Sequence, residues 1–359
     1  MRILVVIPPL SGRGGTETVL KKWMKHFSDS SNNLDVNFIA PQGIKNDQRQ
    51  FLEFSDLIVG NLQYNSKNIF MSRVVGMLKL MSALWRENYD KVICLTSHQI
   101  KLIVFLRKIL RKKFLVISWI HSSLLEEPTI NIRDVDKADE HLAISTGIKK
   151  EILNFNKNAK VEVLFNPIGV ELGKEKITEP KNKQPIFAYI GRLQWRKQKN
   201  LEELFLAFSQ LRSKNWSLLV IGTGTKEDIT KIKDFVKNHN IEDNVNLLGW
   251  QRQPFLLLRE KGVTSLVMSS NYEGLSMVLL EAQSYGIPIV ASNVPTGNSD
   301  IVKEKTGFLY EPGNIDELVE LLGKLMDNPA FFDRKDIQKN VNRFSENSYF
   351  NRTDKILRK

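Results

Sequence analysis

Short apolar runs closed by glycine, proline or asparagine recur along the chain and alternate with longer stretches of helical period. The first run is Ile3 to Ile7. Helical period follows from Glu17 to Phe27, and Val36 to Ala40 is the next apolar run. Residues 41 to 68 are polar and weakly patterned, with one short strand pattern at Leu57 to Val59. Helical period resumes from Phe70 to Arg86. Lys91 to Leu95 reads as a strand, and a further helical stretch passes through Ile100, Ile103, Val104, Leu106 and Ile109. Phe114 to Ile120, His141 to Ile144 and Val161 to Phe165 complete the strands of the first half, with Ser145 capping a helix that opens near Thr146. Strands alternating with helices predict parallel sheets covered on both faces.

Between Val170 and Gln184 the composition shifts to Lys, Glu, Asn and Pro after the turn Asn166-Pro167-Ile-Gly169, which marks an interdomain linker. The pattern then starts again. Strands are predicted at Ile186 to Ile190, Leu218 to Ile221, Val245 to Leu248, Gly262 to Ser270, Ile289 to Ala291 and Phe308 to Tyr310. Helices are predicted from Leu201, Ile315 and Phe331, and finally over Ser348 to Leu357. At 359 residues, two domains of ordinary size are expected rather than one core.

Composition narrows the classes. The single cysteine, Cys94, excludes an internal disulfide and suits a reducing compartment. The apolar run before Pro8-Pro9 is too brief for a signal peptide, and no stretch reaches the length of a membrane span. The net charge of +12 calls for an anionic partner: nucleic acid, acidic lipid or a phosphorylated small molecule. A basic nucleic-acid-binding protein is the alternative from a different class. No recognised module or aromatic-basic interleaving supports it, and no nucleic acid is expected. The helical stretches around residues 70 to 113 are basic, and Lys101, Arg107, Lys108, Arg111, Lys112 and Lys113 occur without an acidic residue among them. That pattern fits either an anionic membrane surface or the charged outer face of a covering helix.

Candidate chemistry concentrates in Asn271-Tyr-Glu-Gly-Leu-Ser-Met-Val-Leu-Leu-Glu281, where a strand runs through a tight loop into a helix. Gly274, Leu275, Ser276 and Met277 then lie at a helix N-terminus, whose unpaired N–H groups and positive pole suit a diphosphate. Glu273 precedes that pole, and Glu281 lies about a turn and a half inside, about 7 to 8 Å along the axis. Ionised carboxylates are acceptors and suit sugar hydroxyls: Glu281 a ribose diol, Glu273 a second sugar. Spacing alone would favour a blander pair, a first-turn Glu complementing the helix dipole and a second on a solvated face. Elsewhere, Ser11-Gly-Arg-Gly-Gly-Thr16 is a glycine loop between strand and helix. It lacks the acidic residue at the end of the next strand that dinucleotide binding needs, so NAD is disfavoured. Gly191-Arg192 follows a strand, and its basic side chain suits a leaving diphosphate. His121 lies past a strand end, where open parallel sheets bind ligands. The triplet Asp134-Val-Asp136 precedes Lys137 to His141, predicted as a short helix, and reads as solvated charge with no metal.

These residues together resemble the retaining GT-B glycosyltransferases of family four. Glu273, Gly274, Glu281, Ala282, Gly286 and Pro288 fit the pattern E-G-x6-E followed by A-x3-G-x-P. The resemblance implies two Rossmann-like doubly wound domains facing each other across a cleft: an acceptor domain over 1–168 and a nucleotide-sugar donor domain over 169–345, with the helix of 346–359 crossing back. It implies that Gly14 and Gly15 let the backbone approach the donor phosphates, and that His121 faces the sugar. Arg192 and a following lysine would neutralise the diphosphate. Lys197 has the usual spacing and Lys199 the usual place immediately before the helix, and Lys199 is favoured. Backbone at Trp250 and Gln251 would border the uracil. No cofactor or metal is implied beyond the UDP-sugar donor. Trp119-Ile-His-Ser-Ser, Ala143-Ile-Ser-Thr-Gly-Ile148, Leu164-Phe-Asn-Pro167 and Leu248-Gly-Trp-Gln251 together look like segments of the family's transferases that add 1,6-linked galactose to the lipopolysaccharide core. The expectation is a retaining hexosyltransferase using UDP-galactose, or UDP-glucose or UDP-N-acetylglucosamine in related enzymes. It would work peripherally on the cytoplasmic face of a bacterial inner membrane.

Overall fold

The computed structural model describes residues 1–9, 15–29, 34–44, 53–54, 57–59, 69–168, 179–180 and 184–359. The chain divides into two compact units, Met1–Pro167 with Tyr349–Lys359, and Ile168–Ser348.

The first unit carries a six-stranded sheet in the order β2-β1-β3-β4-β5-β6: β1 (Arg2–Val6), β2 (Asp35–Ile39), β3 (Lys91–Cys94), β4 (Leu115–Ser118), β5 (Glu140–Ala143) and β6 (Val161–Val163). Every pairing is parallel. Ile58 forms a single parallel bridge to Phe38 beyond β2, and this is all that the strand pattern at Leu57 to Val59 becomes. Connecting helices are α1 (Gly15–Phe27), α2 (Ile69–Arg86), α3 (Ser97–Ile109), α4 (Ile132–Val135) and α5 (Thr146–Phe155). Ser145 accepts from the Ile148 N–H at 3.2 Å, so α5 starts where its cap residue predicts. The short helix near the Asp-x-Asp triplet is α4, ahead of its predicted place, and residues 136–139 are turn and bend. Neither carboxylate is simply solvated: Asp134 is buried and paired with Lys137, and Asp136 accepts from Asn156 Nδ2 at 2.7 Å.

The second unit repeats the plan in the order β12-β11-β10-β7-β8-β9, again all parallel. Its strands are β7 (Ile186–Ile190), β8 (Ser217–Ile221), β9 (Val245–Gly249), β10 (Ser265–Met268), β11 (Ile289–Ser292) and β12 (Gly307–Tyr310). The helices are α6 (Leu201–Ser209), α7 (Lys226–Asn238), α8 (Pro254–Lys261), α9 (Met277–Ser284), α10 (Asn298–Ile301), α11 (Ile315–Asp327) and α12 (Arg334–Asn340). The helix predicted from Phe331 therefore begins at Arg334, behind the cap Asp333, whose carboxylate accepts from two backbone N–H groups. The core of this unit packs Phe187, Tyr189, Phe205, Phe208 and Trp216 with Leu318 and Leu322 of α11. Buried Arg334 donates to the carbonyls of Val263, Thr264 and Gly286. It thereby ties α12 to the starts of β10 and β11, and burial pulls its pKa down to about 10.

The last helix, α13 (Glu346–Leu357), sends Tyr349–Lys359 into the first unit. There Trp23 Nε1 donates to Tyr349 Oη at 2.6 Å and His26 stacks on Phe350 at 3.9 Å.

Candidate functional site

In an open parallel sheet the two strands at which the order reverses leave a crevice at their C-terminal ends. In the second unit those strands are β7 and β10, which are hydrogen-bonded neighbours. The loop leaving β7 carries Arg192 to Asn200, and the loop leaving β10 carries Ser269 to Ser276. The two loops are laced together. Asn271 N–H donates to Gln198 O at 2.8 Å, Asn271 Nδ2 to Lys197 O at 2.9 Å, and Gln198 Nε2 to Tyr272 O at 3.1 Å. Ser269 Oγ donates to Asn200 O at 2.9 Å.

Lys199 lies inside this lacing. Its Nζ is 2.5 Å from Glu273 Oε1, and both side chains are largely buried. Asn200, in the left-handed region at φ 43°, turns the chain directly into α6 and so fixes the direction of the lysine before it. Lys197 is exposed; its carbonyl accepts from Asn271 Nδ2, and its charge acts on Asp228 and Glu227 rather than on Glu273. Arg192 is exposed on the same loop and donates to Gln198 Oε1 at 2.5 Å. Arg196 points elsewhere, onto Glu202.

The start of α9 completes the arrangement. Ser276 is its N-cap, but its hydroxyl donates to Met268 Sδ at 3.6 Å and does not accept from the first turn. At α6, by contrast, the Leu201 and Glu202 N–H groups reach the carbonyls of Gln194 and Trp195. The first-turn donors of α9 therefore lack a side-chain cap, which is the chemistry that suits an anion. Gly274, Leu275 and Ser276 are buried in the loop ahead of Met277. Glu281 is half-buried four residues past Met277, about 6 Å along the axis and nearer the pole than the spacing predicted.

Two partners of this loop carry no signal in the sequence pattern. The Thr296 hydroxyl donates to the Glu273 carbonyl. Gly297 sits at φ 85°, so close that a Cβ would lie 2.4 Å from Gly274 O. They are found only because β11 returns beside β10.

Trp250 and Gln251 follow β9, the edge strand two places from β7, about 10 Å away. Gln251 Nε2 donates to Leu248 O at 2.8 Å.

The reversal point of the first unit lies between β1 and β3. A cavity of about 550 Å³ opens there, lined by Ile7, Pro8 and Pro41, by Met77 and Leu80 of α2, and by Leu102 of α3. Gly14 lies outside the described residues, and Gly15 is the first residue of α1. His121 lies three residues past β4 against Trp119, ring centroids 4.6 Å apart. Both its ring nitrogens are buried without a hydrogen-bond partner among the described residues, and burial pulls its pKa down to about 3. His121 is therefore neutral at physiological pH, able to donate from one nitrogen and accept at the other.

Residues 173–349 match Glycosyl transferases group 1. The chain is 31% identical to lipopolysaccharide 1,6-galactosyltransferase of Salmonella typhimurium, over 98% of this chain and 96% of the relative. It is 30% identical to the lipopolysaccharide 1,6-galactosyltransferase of Escherichia coli, over 99% and 98% of the two chains. Among solved structures, the apo form of the lipopolysaccharide outer core galactosyltransferase WaaB superposes with a TM-score of 0.86 at 30% identity, over 99% of both chains. HepE of Anabaena in complex with UDP shares the fold, with a TM-score of 0.78 at 16% identity over the whole of both chains. The likeness runs through both doubly wound units, so this chain belongs to the group 1 glycosyl transferases and has the GT-B fold.

Proposed function

We propose that the chain is a retaining hexosyltransferase that moves galactose from UDP-galactose onto the lipopolysaccharide core. The observation that carries this reading is the buried Lys199–Glu273 pair beside the N-terminus of α9, at the reversal point of the second sheet. The full-length likeness to 1,6-galactosyltransferases supports the choice of sugar and acceptor.

A glycosyl bond to a diphosphate breaks with positive charge growing on the ring and negative charge on the leaving oxygens. The pole of α9 at Gly274 to Met277, Arg192 and Lys199 stabilise the negative side as it develops, each such donor contributing about 3 kcal/mol. Glu281 accepts from the ribose diol. Glu273 has acceptor capacity beyond its bond to Lys199, since an ionised carboxylate offers about four lone-pair sites; that capacity takes hydroxyls of the transferred sugar. Gly14 and Gly15 give the phosphates close backbone approach, Trp250 and Gln251 border the base, and His121 donates to a sugar hydroxyl. Retention follows from attack on the face that the diphosphate leaves, with that phosphate taking the acceptor's proton. No metal enters this scheme. The core acceptor is carried on lipid A, so the enzyme works at an anionic membrane surface, on the cytoplasmic face of the bacterial inner membrane.

The test is to incubate the purified protein with UDP-galactose, UDP-glucose and UDP-N-acetylglucosamine and with truncated core lipopolysaccharides, and to follow mass gain. A hexose added from UDP-galactose to one truncated core is the expected result. No transfer to any core, or transfer only from another donor, would overturn it.

A further inference from the structure

Glu151 is a buried acid that takes no part in the transfer scheme. It lies in α5, and its two oxygens are taken by two donors of the loop that leaves β4. Ser123 Oγ donates to Oε1 at 2.8 Å, and the Leu124 N–H donates to Oε2 at 2.8 Å. Ser123 is fully buried, and its hydroxyl also accepts from the Glu126 N–H at 3.2 Å, so the carboxylate holds a closed turn.

No cation offsets the burial of this charge. Among the described residues none pairs with Glu151. Burial raises its pKa against the pull of those two hydrogen bonds, and the charge that acts on it, Glu126, has its own sign. A glutamine would avoid that cost. Its single oxygen, however, would serve one of the two donors, and its amide N–H groups would face the other. Gripping both donors at once needs a carboxylate.

His121 lies between two anchors. On the near side the Trp119 N–H donates to the Cys94 carbonyl at 2.8 Å, and the buried indole packs on Trp23, ring centroids 4.3 Å apart. His121 meets Trp119 edge to face. On the far side Ser123 and Leu124, two and three residues on, are held by Glu151. The imidazole has no hydrogen-bond partner among the described residues, so contact with Trp119 and the path of the loop decide where its nitrogens point.

We infer that Glu151 is the positioning residue for His121: by taking Ser123 Oγ and the Leu124 N–H together, it closes the loop behind the ring and fixes where the ring stands. The consequence for transfer rests on the function proposed above, whereas the placement of the ring does not.

The experiment labels the histidines of the full chain with 15N, identifies His121 by the signal that His121→Gln removes, and follows ring titration beside steady-state transfer. Wild-type His121 should stay neutral well below pH 6.5, the ordinary histidine value. In Glu151→Gln the ring should titrate closer to that value, because the opened loop admits water. Its kcat with UDP-galactose should fall about 10- to 100-fold. The Kd for UDP should stay within about twofold, since Glu281 and the pole of α9 are untouched. Ser123→Ala keeps the Leu124 bond, perturbs the fold less, and should move titration and kcat the same way by a smaller amount. An unchanged His121 titration in both variants would overturn the proposal. So would a loss of UDP affinity as large as the loss of kcat, which would mark general loosening. A titration that moves while kcat stays at the wild-type level would leave Glu151 as the holder of the ring and count against the sugar-facing role of His121 alone.

Discussion

The two sheets reverse their strand order at equivalent places, yet the ends of β7 and β10 differ in chemistry from the ends of β1 and β3. In the second unit the crevice is charged and pre-tied: hydrogen bonds from Asn271, Gln198 and Ser269 join two loops about 70 residues apart, and a lysine and a glutamate are buried against each other. In the first unit the crevice is a mainly apolar cavity with Arg73 and His98 in its lining, and His121, past β4, has two buried nitrogens without partners among the described residues. Topology thus says where ligands approach, whereas side chains say what each end can hold. A tied, charged end suits a group that must be gripped while negative charge develops.

The sharpest way to break this comparison is at Lys199. Lys199→Ala should lower the transfer rate by about 100-fold or more. It should also destabilise the second unit by about 3 to 5 kcal/mol, because Glu273 is left buried without its partner. Lys197→Ala, on an exposed side chain, should stay within about twofold of wild type. Turnover assays and thermal unfolding read both, and the opposite pattern would move the phosphate-binding role to Lys197.

Next comes Glu281→Ala, which should weaken UDP binding by about 10- to 100-fold through lost charged hydrogen bonds. Isothermal titration measures it, and an unchanged Kd would remove the diol role.

Gly297→Ala should cost about 1 to 3 kcal/mol of stability, since it forces a Cβ against Gly274 O at a strained φ. UDP affinity should fall with it, whereas the same change at Gly323, where a Cβ meets open space, should leave affinity intact.

The smallest effect tests the first unit. His121 in the fold has its pKa pulled below the ordinary histidine value, so the unfolded chain binds its proton first. The stability that depends on neutral His121 is complete above about pH 6.5. It is lost as pH falls towards 3, with a slope of up to about 1.4 kcal/mol per pH unit. His121→Gln should flatten that part of the acid-unfolding curve, and an unaltered slope would show that the ring is not held neutral.

Much of this was readable in order along the chain. Among the described residues, alternation of apolar runs with helical period marked all twelve strands to within three residues at either end, because parallel strands buried on both faces must be continuously apolar. The Glu273–Glu281 segment declared a strand-loop-helix corner through its own glycine and spacing. Helices α7, α8 and α10 carry no mark in the pattern, and the short helix near Asp134 falls ahead of its expected place, with Asp134 paired to Lys137 one turn on and Asp136 accepting from Asn156. Between Lys197 and Lys199 the sequence offered two local rules that disagreed. Contact with a carboxylate 74 residues away separates them, burying one lysine and exposing the other.

By itself, then, the sequence determined the two doubly wound units and the strand-loop-helix corner at Glu273 to Glu281, since hydrophobic period and turn chemistry are local properties. Only the tertiary structure decided which lysine meets Glu273, that Thr296 and Gly297 clamp the loop, and that Glu151 holds the turn behind His121. Each of those depends on which distant segments become neighbours, and that is set by the order of strands in a sheet.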